Sequence, residues 1–176
     1  MVVTGFGANL PAVRAGGWHA LPAYGAVGTV TPVLNRAYAL PIWTGRAATI
    51  TAVAAEVTLL GIGNLRAGIY HDAESKPGAL ITDYGIIATG LAGVKTWTVS
   101  TSIRPILYWL VIAQQGLITV GLRSRATGDP IVSETTATLN VNGSSYYSDS
   151  IGGALPSTFP AIAGTAQAPS LLVQLT

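Results

Sequence analysis

Asp72, Glu74 and Asp83 form the tightest cluster of carboxylates in a chain that holds only seven acids. Two carboxylates about 5–10 Å apart could cleave a glycosidic bond, one as acid and the other as base or nucleophile. With loop carbonyls, Asp72 and Glu74 could also ligate calcium, although no EF-hand spacing is present. The run His71-Asp72-Ala73-Glu74-Ser75-Lys76-Pro77-Gly78 offers simpler chemistry. It is a turn in which Asp opens an Asx-turn, Pro presets φ and Gly takes φ > 0. The turn reading is favoured, and no catalytic residue is assigned.

The other reactive side chains are as sparse. His19 and His71 sit in no H-x-x-x-H, H-E-x-x-H or H-x-E setting, and no G-x-S-x-G elbow occurs. With no cysteine, disulfides, thiolate zinc sites and thiol nucleophiles are excluded. Gly61-Ile62-Gly63 reads as a short turn, not a phosphate loop. No cofactor and no metal are expected, and the chain reads as a non-enzyme. Aromatics are the remaining candidates. Trp43, Trp97 and Trp109 fall inside strand-like runs, where packing is the default. Tyr146 and Tyr147, with Asn142 and Ser144, are read as contact residues on a loop.

Composition frames these residues. Of 176 residues, 49% are hydrophobic and only 9% charged, against a usual charged share of about 25%. A surface this poor in charge is built from Ser, Thr, Gly, Asn and Gln, and suits partial coverage by partner subunits. The net charge of +2 is dispersed singly, which argues against nucleic-acid binding. No stretch has the roughly 18 uninterrupted apolar residues of a membrane-spanning helix. The first ten residues lack a basic region followed by an apolar one, so no secretion signal is legible.

Gly (21) and Pro (10) cut the chain into short pieces rich in Val, Ile, Thr, Tyr and Trp, as in an all-β sandwich or barrel. Strands are predicted at 37–43, 48–60, 64–71, 79–87, 94–100, 106–115, 117–123, 136–141 and 170–175. The Ala-rich piece 46–60 is the best helix candidate, but Thr49, Ile50, Thr51, Val53, Val57 and Thr58 tip it to strand. Within 65–70, Leu65, Ala67 and Ile69 should share one face, with Arg66 and Tyr70 on the other. Residues 1–35 read as an irregular N-terminal arm, with Val2, Val3, Phe6, Leu10, Val13 and Trp18 as candidate anchors. Residues 36–176 read as an antiparallel two-sheet β-sandwich of jelly-roll type. Residues 140–165 read as a long surface loop.

Two blocks carry a likeness. They are Leu65-Arg66-Ala67-Gly68-Ile69-Tyr70-His71-Asp72 with Lys76-Pro77-Gly78-Ala79-Leu80-Ile81-Thr82-Asp83-Tyr84-Gly85, and Ile106-Leu107-Tyr108-Trp109-Leu110-Val111. Together they resemble the β-sandwich modules of tailed-bacteriophage virion proteins, found on tail fibres, tail tips and head-surface appendages. The likeness spans about 36–125. Each element also has a structural reason: Gly68 as room where sheets approach, Pro77-Gly78 as the hairpin turn, Tyr108-Trp109 as one aromatic on each face. The blocks therefore specify a fold and transfer no activity. No shaft, heptad pattern or long repeat accompanies them.

The resemblance implies a homotrimer on the virion surface, assembled in the host cytoplasm. The leading expectation is a tail-associated structural protein, acting in host attachment or as a knob, with avidity from repeated weak sites. The alternatives are a capsid decoration protein or head fibre that stabilises the shell, and a carbohydrate-binding module that meets a host cell-surface glycan. Other virion proteins are the expected partners, with no nucleic acid and no membrane insertion.

Overall fold

The computed structural model describes residues 15–21, 27–117, 119–126, 145–160, 163–165 and 167–176. Thirteen strands run in order: β1 (Trp18–Leu21), β2 (Val27–Val30), β3 (Ala37–Ile42), β4 (Ala48–Leu59), β5 (Gly63–Ala73), β6 (Lys76–Ala88), β7 (Gly93–Ile103), β8 (Tyr108–Gly116), β9 (Gly121–Ala126), β10 (Ser145–Ser148), β11 (Ala163–Thr165), β12 (Gln167–Pro169) and β13 (Leu171–Leu175). They form two antiparallel sheets, and the protein is an all-β sandwich. The first sheet has the order β1-β13-β4-β9-β12, with β2 on β9 and β7 on β4. The second has the order β11-β10-β3-β8-β5-β6.

The core between the sheets follows strand alternation. From β4, Ile50, Val53, Ala55 and Val57 are buried there, which is why the β-branched reading of 48–60 prevails over the helical one. From β5 come Leu65, Ala67 and Ile69, as expected, and from β8 come Tyr108, Leu110 and Ile112. The β6 and β7 edges close one side of the sandwich. The Trp97 indole donates to the Gly85 carbonyl at 3.2 Å, and Tyr84 OH donates to Thr101 Oγ1 at 3.1 Å.

A second apolar cluster lies on the outer face of the second sheet. Ala37, Ala39, Tyr70, Trp109, Val111 and Ala113 are roofed there by Ile151, Leu155 and Phe159. Strands β3 and β8 are consequently buried on both faces: all six residues of β3 and eight of the nine in β8 are buried. Strands covered on both sides read as apolar runs, as do β3 and, from Tyr108 to Ala113, β8.

Several expectations are corrected. Residues 18–21 and 27–30 are not irregular. Trp18 to Leu21 pair with β13, and Val27 to Val30 pair with β9. Gly16 and Gly17 precede β1, and Gly28 lies within β2 without breaking it. Residues 140–165 are not one surface loop, because β10 pairs with both β3 and β11, and 149–160 crosses the sheet. Pro77-Gly78 does not make the hairpin turn. Ala73 pairs with Lys76, so the turn is Glu74-Ser75, with φ of 53° and 64°. That is the doubly positive geometry of a tight type I′ hairpin. The candidate strand 136–141 lies outside the described residues.

Candidate functional site

The two blocks singled out in the sequence meet in three dimensions under the segment 149–160. Gly68 seats it. A Cβ at this position would collide with Leu155 Cδ1 and lie 2.8 Å from the Thr82 carbonyl oxygen. The room Gly68 provides is thus for the crossing segment and its own hairpin partner, not for the opposing sheet. Tyr70 OH donates to the Pro156 carbonyl at 2.9 Å, and its ring meets Phe159 edge-on at 5.4 Å. Burial, with the Asp83 charge adding, pushes the Tyr70 phenol above its ordinary range.

Backbone bonds fasten the same segment along its length. Ile151 N–H donates to Asn35 O, Leu80 N–H to Ser157 O, and Phe159 N–H to Gly78 O. Gln115 Nε2 reaches the carbonyls of Ile151 and Gly153. A chain rich in Gly, Ser and Pro is held here as a strap, because its polar backbone groups find partners on the sheet below.

The acids are engaged in this architecture. Asp83 Oδ2 accepts from Arg66 Nη1 at 2.6 Å and from Leu155 N–H at 3.0 Å, while Oδ1 accepts from Gly85 N–H at 2.9 Å. Asp72 Oδ1 accepts from the Trp109 indole at 2.8 Å, and Oδ2 accepts from Ser75 N–H at 3.2 Å. Asp72 thus serves the turn, though its bond reaches three residues on and not the two of an Asx-turn. Asp72 pairs with Pro77, six residues along β6 from Asp83. That places the two about 20 Å apart along the strand, well beyond the span of a glycosidase pair. Glu74 sits exposed at the turn. His71 pairs with Tyr108, the rings 5.9 Å apart, and His19 pairs with Val173. Among the described residues, no group of three His, Asp or Glu is placed to hold a metal ion. Among them, too, no helix is long and apolar enough to cross a membrane.

Tyr146 and Tyr147 lie on strand β10, not on a loop. Both are half-buried: Tyr146 meets Trp109 edge-on at 5.3 Å, and Tyr147 carries the Arg36 guanidinium 4.1 Å above its ring. Arg36 is also paired with Asp149, which raises its pKa further. What these tyrosines present outward is a rim of partly covered rings. Trp18, on β1, is 45% exposed beside β13. Asn142, Ser144, Val2, Val3, Phe6, Leu10 and Val13 lie outside the described residues.

One surface was missed in the sequence. The β4–β5, β6–β7 and β8–β9 connections come together at one end of the sandwich. Gly63 pairs with Gly116, Leu59 pairs with Gly121, and Val57 pairs with Gly93. Thr89 binds both Gly61 O and Gly63 O. Leu59, Leu60, Ile62, Leu91 and Leu117 are all exposed there. Stretches 57–65, 84–94 and 110–122 contain no charged residue. That triple gap in the charge pattern is the signal that could have found it. The nearest ion pair on β4, Glu56 with Arg123, holds the Glu56 carboxyl below its usual range. Both partners are substantially exposed, so the pair adds little stability.

No protein-family model matches the chain, and no curated protein matches it.

Proposed function

We propose that the chain is a non-enzymatic structural subunit of a tailed-phage virion, associated with the tail, in host attachment or as a knob. The observation that carries this reading is the charge-free apolar end. An apolar patch of several hundred Å² is about the largest that a solitary soluble protein keeps, and such a patch is often an interaction site. A subunit destined for burial against its neighbours has reason to. Two further features support it. Of the acids that might have done chemistry, Asp83 holds the strap and Asp72 binds Trp109 and its own turn, and residues of the resembling blocks, Gly68 and Tyr70, seat and fasten the strap. The jelly-roll classification and the homotrimer expected from that resemblance belong to the same proposal.

Gold-labelled antibody on purified particles, viewed by negative-stain electron microscopy, tests the location. Label at the tail is the expected result. Label over the head would replace the tail reading with a capsid decoration role, and heads lacking the protein should then burst at lower temperature. Particles without label would overturn the virion reading.

A further inference from the structure

The charge-free end and the start of the described chain lie at opposite poles of the sandwich. Gly16 N–H donates to Leu175 O, Leu175 pairs with Ile50, and Thr176 bonds Thr49. All of these are at the first residues of β4, whereas Leu59 and Leu60 are at its far end. Ten residues of β4 separate Thr49 from Leu59, so the chain enters the described fold about 33 Å from the apolar end.

The end is open enough to mark an interaction site and too small to bind firmly by itself. Leu59, Leu60, Ile62, Leu91 and Leu117 are 62%, 59%, 70%, 74% and 88% exposed. Together they make a patch of roughly 500 Å². A stable interface needs about 800 Å² from each partner. An occupant must bring more apolar surface than a second such end would. Residues 1–13 supply it: they include Val2, Val3, Phe6, Leu10 and Val13 and contain no charged residue. Neither surface has a charge to desolvate on meeting the other, so burial is opposed by no ionic penalty.

We infer that the apolar end of one copy receives residues 1–13 of a second copy, joining subunits head to tail. Fourteen residues span about 45 Å when fully extended, and about ten of them are used in covering the length of their own sandwich, so of the apolar residues of the arm only Val2 and Val3 would reach its own end. A copy stacked pole to pole puts its arm directly there. Such a contact is heterologous: two different surfaces meet, and a ring forms if the rotation closes, an open filament if it does not. The inference rests on the reading of this chain as an assembly subunit and does not depend on where in a virion it sits.

The test uses the full chain. Ile62→Asp with Leu117→Asp disables the end, and Phe6→Asp with Leu10→Asp disables the arm. Sedimentation velocity should show wild-type protein larger than a monomer and each variant as a monomer. Mixing the two variants should then restore a one-to-one dimer, because one retains an intact end and the other an intact arm. Mixed variants that stay monomeric would overturn the inference. Arm variants that assemble like wild type, end variants that do so, or a monomeric wild type would each overturn it as well. Ile62 and Leu117 are exposed, so folding should survive, and Leu91→Asp is the substitute if circular dichroism shows otherwise. Complementation without virion label would sink only the virion reading. Virion label without complementation would sink only this one.

Discussion

Leu155 sits directly over Gly68, and the contact is close enough that no side chain fits between them. This pair couples the central hairpin to the strap that roofs the second sheet. Gly68→Ala should therefore cost about 1–3 kcal/mol through overpacking, and Leu155→Ala about 2–5 kcal/mol through the cavity it opens. The double variant should cost clearly less than the two combined, because removing Leu155 makes room for the new methyl. Urea denaturation of all four proteins measures this. Additive costs would mean that the two residues do not meet as described.

Asp83 serves three donors at once, from Arg66, Leu155 and Gly85. Asp83→Asn keeps the shape but replaces acceptor oxygen with an amide and discharges the partner of a largely buried arginine. A loss of about 2–4 kcal/mol is expected. Limited proteolysis should cut within 149–160 before the rest of the sandwich is attacked. A variant with an unchanged midpoint and an uncut strap would remove Asp83 from its holding role.

The Glu74-Ser75 turn has the reverse weakness. Both residues adopt positive φ, which L side chains enter reluctantly. Glu74→Asn with Ser75→Gly supplies the residues this turn favours and should stabilise the protein by about 1 kcal/mol. For a chain of this length the melting temperature should rise by roughly 2–4 °C. A fall would show that Asp72, which binds Ser75 N–H, depends on the native pair.

Alkali should weaken the fold through two phenols. Burial pushes Tyr84 up to about 12 and raises Tyr70 above the ordinary range. Both ionise near pH 10 in the unfolded chain. The folded state holds its protons longer, so this contribution is fully present below about pH 10 and is lost as pH rises through the folded values. Melting temperature should fall steeply above pH 10 in the wild type. Tyr84→Phe should flatten the slope, since it removes one of the two titrations. An unchanged slope would rule out Tyr84 as a source.

The β character, the strands from Ala37 to Gln115 and the alternation of Leu65, Ala67 and Ile69 were legible in the sequence. Each depends on local pattern: branched and aromatic residues at period two, bounded by Gly and Pro. That Asp72 serves its turn was legible for the same reason, being settled within four residues of chain. The fate of 149–160 was not. A segment rich in Gly, Ser and Pro reads identically whether it stands in solvent or is pinned, because its fasteners come from Asn35, Tyr70, Gly78, Asp83 and Gln115. Tertiary structure alone decided that Gly68 makes room for Leu155, that Asp83 is an anchor and not an acid, and that three uncharged connections converge on one apolar end. Those outcomes belong to pairings between residues tens of positions apart, and one-dimensional pattern carries no register between them.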